Sequence, residues 1–111
     1  MAKLPEISDA EYETEVVQSD RPVLVDFWAP WCAPCRMVGS LLEGVADARG
    51  DTLKIVKVNV DDHVEHAAKL GVMLLPTVAL YKDGKMVDKL QGGIAPTTLK
   101  RLLDTHLGED E

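Results

Sequence analysis

The sequence predicts an α/β fold, a three-layer α/β/α sandwich in which a mixed central sheet is flanked by four helices. Three observations predict it. A β-branched and aromatic run at Val23–Trp28, a helix-spaced apolar stripe after Cys32 and an alternating run over residues 53–60 follow one another as a βαβ unit. Residues 77–81, an Asp83-Gly84 pair and residues 86–90 together have the form of a β-hairpin. Helix-start signals stand before the first strand and after the last.

Ser8 with Glu11 three residues later makes a capping box, and Ile7 and Tyr12 have the spacing of a hydrophobic staple, so a first helix is expected over residues 9–19. Arg21-Pro22 ends it. The following strand carries one charge, Asp26, in a run otherwise suited to burial on both faces. Beyond Ala29-Pro30 a second helix starts near Cys32, with Pro34 in its first turn and Met37, Val38, Leu41, Leu42 and Val45 forming its apolar stripe. Gly50-Asp51 closes that helix. In the next strand Val56, Val58 and Val60 share one face, with Lys57 and Asn59 on the other; the two strands should be parallel, joined by a right-handed crossover. Asp61-Asp62 is expected to cap a short third helix ending at Leu70. The hairpin strands are antiparallel, Gly92-Gly93 breaks the last of them, and Pro96 opens a final helix that buries Leu99, Leu102, Leu103 and Leu107. Residues 109–111 are expected to be a solvated acidic tail.

A chain of 111 residues with 46% hydrophobic content fits a single domain spanning residues 1–111. Its twelve basic and nineteen acidic residues leave a net charge of -7, which opposes phosphate backbones and anionic membranes, so no nucleic-acid or membrane partner is expected. The apolar runs fall far short of the ~20 residues that cross a bilayer. Without a secretory signal pattern at its N-terminus, the chain is expected to be soluble and cytoplasmic.

Cys32 and Cys35 are the only two cysteines, too few for a disulfide framework; in a reducing compartment such a pair suggests redox chemistry or metal binding. Cys32-Ala33-Pro34-Cys35 stands where strand gives way to helix, where unpaired amides and the helix dipole favour a thiolate at Cys32. Cys35, one turn further in, is close enough to form a disulfide with it. Cys32 could then attack a disulfide elsewhere, with Cys35 resolving the mixed disulfide. A zinc site completed by His63 and His66 is the competitor, but 27 residues separate Cys35 from His63 and the proline-containing CxxC opens a helix. Both histidines are expected on the solvated side of the third helix, and His106 on the surface.

Asp26-Phe27-Trp28-Ala29 ahead of Trp31-Cys32-Ala33-Pro34-Cys35, then Lys57-Val58-Asn59-Val60-Asp61, Pro76-Thr77, Asp83-Gly84 and Gly92, resemble the thioredoxin family across essentially the whole chain. The resemblance implies a thioredoxin fold and a protein-disulfide reductase and dithiol electron carrier. Such a carrier acts on protein disulfides, binds no cofactor or metal, works as a monomer, and is re-reduced by a thioredoxin reductase that is NADPH- or ferredoxin-dependent. It makes Cys32 the exposed nucleophile, Cys35 the buried resolving thiol and Asp26 the group that exchanges a proton with Cys35, with Lys57 as a charged neighbour in the adjacent strand. Burial of a carboxyl in a strand raises its pKa and supports that role. By the same resemblance Pro76 is cis and brings the Leu75 backbone beside the cysteines. Trp31, Ala33, Pro34, Leu75, Pro76 and Gly92 then form the substrate-contacting surface, and Trp28 packs beneath the loop. Met73 and Leu74 read as core. The chain departs from the family at Ala33, where glycine is usual, and at Ser40, where a proline commonly kinks the second helix, although Gly39-Ser40 is itself a place where helices bend.

Overall fold

The structure is a computed structural model that describes residues 4–108; the acidic tail expected at residues 109–111 lies outside the described residues. Four strands, β1 (Val23–Trp28), β2 (Lys54–Asn59), β3 (Thr77–Lys82) and β4 (Lys85–Gln91), form one sheet in the order β2-β1-β3-β4. β1 and β2 are parallel; β3 is antiparallel to β1, and β4 to β3. The mixed sheet and the βαβ unit are as the sequence predicts.

Alternation along the strands sorts the core into two halves. Leu24, Ile55, Val78 and Leu80 point to one face and pack with Val38 and Leu42 of α2 (Ala33–Arg49) and Leu99, Leu102 and Leu103 of α4 (Pro96–Leu107). Val23, Val25, Phe27, Val56 and Val58 point to the other, against Tyr12 of α1 (Asp9–Tyr12), Val16 of the π-helical turn Glu13–Val17 and Ala67 of α3 (Glu65–Lys69). Helices therefore cover both faces, giving the thioredoxin-fold layering.

Several local expectations change. The Ser8–Glu11 capping box forms, but the first helix is α-helical only to Tyr12 and then widens, with the Gln18 N–H donating to the Glu13 carbonyl at 2.9 Å. Thr14, Val16 and Val17, β-branched residues that crowd a tight α-helical turn, lie in the wide one. Asp61-Asp62 does not cap α3, because the amides of Asp61, Asp62 and His63 fold back onto Asn59 in a turn. The cap comes from across the molecule, where the Asp9 carboxylate accepts from the Glu65 and His66 amides at 3.0 and 3.3 Å. Met37 is 78% exposed. The buried stripe of α2 runs through Cys35, Val38 and Leu42, and Met37, about 100° around the helix from Val38, falls off its edge. α2 is continuous through Gly39-Ser40.

A pairing absent from the sequence reading extends the sheet edge: Lys57 N–H donates to the Pro5 carbonyl and Ile7 N–H to the Lys57 carbonyl, both at 2.9 Å. The hairpin turns on Asp83 and Gly84, both at positive φ. A Cβ at Gly84 would lie 2.9 Å from the Val17 carbonyl oxygen, so this turn needs glycine for space as well as for dihedral freedom.

Candidate active site

β1 ends at Trp28, and the chain turns through residues 29–31 into α2 with Cys32 as the N-cap residue, its N–H donating to the Ala29 carbonyl at 3.1 Å. Cys35 follows within the first turn, its N–H on the Cys32 carbonyl at 3.2 Å, and the two cysteines are joined as a disulfide with Cα atoms 5.4 Å apart. Ala33 and Pro34 occupy the intervening first helical positions, both exposed. Pro34 has no N–H to leave unpaired there.

The resemblance implied an exposed Cys32 above a buried Cys35. In the disulfide form both are buried, 5% and 4% exposed, since each sulfur faces the other and the pair packs with Ala29 against Trp28, Val60 and Leu75. The two residues differ in helix position, not in exposure. Among the described residues no group of three or more His, Cys, Asp or Glu side chains is arranged to hold a metal. His66 stands apart from the cysteines, stacked on the Tyr12 ring at 4.0 Å and donating from Nδ1 to Asp9 at 2.9 Å. It is thus half-buried rather than on a solvated helix face, as is His106, which contacts Asp88 of β4 at 2.9 Å.

On the far side of the disulfide the Leu75–Pro76 peptide is cis, and Leu75 packs against the cysteine cluster. The Pro76 carbonyl accepts from Gly92 N–H at 2.8 Å, tying the loop before β3 to the residue after β4. Gly92 has φ +78°, and a Cβ on it would come within 3.1 Å of Leu74 Cδ2. Trp31 is 70% exposed, its indole N–H donating to Asp61 at 3.1 Å. Met73 and Leu74 are also surface residues, 93% and 53% exposed, against the expectation that they are core; they lie in the loop that leaves α3 for β3, outside both packed faces of the sheet.

Asp26 alternates with Leu24 and Trp28 and so sits on the α2-facing side of β1, fully buried, opposite Lys57 in the β1–β2 register. Neither of its carboxyl oxygens has a hydrogen-bond partner among the described residues. Desolvation pushes its pKa up to about 7, against the opposing pull of the Lys57 charge. Lys57 is half-buried, and its ammonium lies 4.2 Å from the centre of the Trp28 ring. Trp28 is half-buried with its indole N–H also unpartnered. A cleft of about 340 Å³ runs beside these groups, lined by Trp28, Cys35 and Lys57 and rimmed by Glu6, Arg36 and Glu43. The sequence reading missed those three charged residues. It also missed the Trp31 partner Asp61. Nothing in the sequence pattern marks Glu6, Arg36 or Glu43 as cleft residues. The run of four apolar residues, 72–75, does not mark Met73 and Leu74 as surface residues, since such a run ahead of a strand reads equally as core.

The family model for Thioredoxin matches residues 3–105. The chain belongs to the thioredoxin family. It is 46% identical to Thioredoxin 1 of Synechococcus elongatus over 101 residues, covering 91% of this chain and 94% of that protein. It is 41% identical over 107 residues to Thioredoxin 1 of a Nostoc species and, equally, to thioredoxin of Haemophilus influenzae, in each case covering 96% of this chain and 100% of the relative. As a thioredoxin-family protein it is a thiol-disulfide oxidoreductase, a dithiol redox carrier whose redox-active centre is the Cys32–Cys35 pair. Members of the family normally work with a thioredoxin reductase and disulfide substrates. No helix among the described residues is long and apolar enough to cross a membrane.

Proposed function

We propose that the chain, as one domain and a monomer in the cytoplasm, reduces disulfides in other proteins, with Cys32 as nucleophile and Cys35 as resolving thiol. The observation that carries this reading is the disulfide at the N-cap of α2, packed against Leu75 and with Asp26 in the strand that leads to it. In the reduced protein the helix terminus favours the thiolate at Cys32. That thiolate attacks one sulfur of the substrate disulfide, the S–S bond breaks, and the displaced substrate sulfur leaves as a thiolate. Cys35 gives its proton to ionised Asp26 and attacks Cys32 Sγ, which releases the second substrate thiolate and leaves the Cys32–Cys35 disulfide. The substrate gains two electrons and the carrier loses two.

Trp31, Ala33, Pro34, Leu75, Pro76 and Gly92 form the surface on which an extended substrate segment lies, the Leu75 backbone pairing with it as an added strand. Trp28 supports the loop, and Lys57 tunes Asp26. The oxidised carrier is regenerated by a thioredoxin reductase, drawing on NADPH through a flavin or on ferredoxin.

Insulin reduction driven by dithiothreitol should accelerate with this protein present. Cys32→Ser should form no adduct with a disulfide protein, while Cys35→Ser should accumulate a mixed disulfide visible on non-reducing electrophoresis. Equal trapping by both variants would reverse or remove the assigned roles.

A further inference from the structure

The loop that delivers Leu75 to the disulfide also presents Leu74 and Met73 outward. Their placement is built rather than loose. The Leu74 carbonyl accepts from the Thr77 hydroxyl, and its side chain lies over Gly92, close enough that a single added carbon there would press on Cδ2. Gly92 is itself tied to Pro76. Leu74 thus makes an apolar ledge across the Pro76–Gly92 junction, continuous with the surface beside the cysteines, and Met73 projects from its end with 93% of its surface in water. At Trp31 the border is acidic, with Asp61 holding the indole and Asp62 exposed next to it.

We infer that Leu74, extended by Met73, is a specificity-determining residue: the chain favours polypeptide disulfides with a bulky apolar side chain within two residues of the attacked cysteine, and disfavours acidic ones. This rests on the disulfide-reductase reading above. A segment lying along Leu75 places its neighbouring side chains over Leu74, where an aliphatic or aromatic group removes apolar surface of both partners from water. A carboxylate in the same place gains nothing from the apolar ledge and adds to the repulsion from the net charge of the chain. The flexible thioether of Met73 lets the ledge fit side chains of different shape.

The test uses the pre-reduced full chain and three disulfide-linked peptide dimers that are identical except for Leu, Ser or Glu next to the cysteine. Wild type should reduce the Leu peptide about five- to tenfold faster in kcat/KM than the Ser peptide, with the Glu peptide slowest. In Leu74→Ser the Leu-to-Ser ratio should fall below about twofold, and in Leu74→Met it should be kept. Because each ratio is taken within one variant, a change in the amount of folded protein does not move it. Equal rates for the three peptides in wild type, or an unchanged ratio in Leu74→Ser, would overturn the assignment while leaving the reductase reading in place. Failure of wild type to reduce any of the three would overturn both.

Discussion

The two faces of the sheet treat buried polar groups in opposite ways. On the α1–α3 side no buried side-chain polar group among the described residues lacks a partner. The Tyr12 and Tyr81 hydroxyls are 3.0 Å apart, the Tyr12 ring stacks on His66, and Asp9 binds both the His66 ring and two amides of α3. On the α2 side Asp26 is buried with both oxygens unpartnered among the described residues, and so is the Trp28 indole N–H. Desolvation outweighs the Lys57 charge at Asp26, whereas at Asp9 the desolvation that would raise the pKa is outweighed by hydrogen bonds from His66 and the α3 amides, and the carboxyl is held below its usual value. A satisfied network holds the fold, and an unsatisfied buried acid has a proton to exchange near neutral pH.

That contrast is sharpened most by Asp26. A carboxyl moved from 3.8 to about 7 by folding keeps its proton in the native state after the unfolded chain has lost it. Stability therefore falls as pH rises from about 4 to 7 and then levels, a loss of about 4 kcal/mol. Urea unfolding of the oxidised protein from pH 4 to pH 9 should show Asp26→Asn free of this decline, with disulfide exchange slowed. Parallel stability curves for wild type and variant would mean that Asp26 is ionised in the folded state at low pH.

Tyr12→Phe breaks the satisfied side by leaving the buried Tyr81 hydroxyl without its partner, and should cost roughly 1–2 kcal/mol with no effect on insulin reduction. A matching loss of activity would show that the two faces are coupled. Asp9→Ala removes the cap of α3 and should cost about 1 kcal/mol at pH 7. Its sign with pH is opposite to that of Asp26. A depressed carboxyl stabilises the fold above its unfolded pKa near 4, and the deficit of the variant should vanish as pH drops through the lower folded value. A deficit that persists at pH 2 would assign the loss to packing instead of charge.

Much of this was legible in the sequence because the signals are local. The hairpin needs only Asp83-Gly84 between alternating runs, and α2 needs only its proline-bearing start and its stripe. Asp26 stood out as the one charge in a strand otherwise apolar. What escaped depends on contacts between distant residues. The true cap of α3 is 56 positions away in Asp9, and no local pattern distinguishes it from Asp61-Asp62, which merely sit closer. The exposure of Met73 and Leu74 could not be told from their apolarity, since a run of four apolar residues before a strand reads equally as core. The near-equal burial of the two cysteines follows from the bond between them, a redox state and not a sequence property.

The short pairing of residues 5–7 with Lys57 has a consequence for self-association. β2 is the outer strand of the sheet, and a bare outer strand offers a row of unsatisfied amides and carbonyls to any other extended chain. Here the Lys57 amide and carbonyl are already engaged, by the Pro5 carbonyl and the Ile7 amide. On the proposed reading, in which extended segments are received beside the disulfide, residues 5–7 cover the middle of one sheet edge and leave less of that rim open to a competing strand.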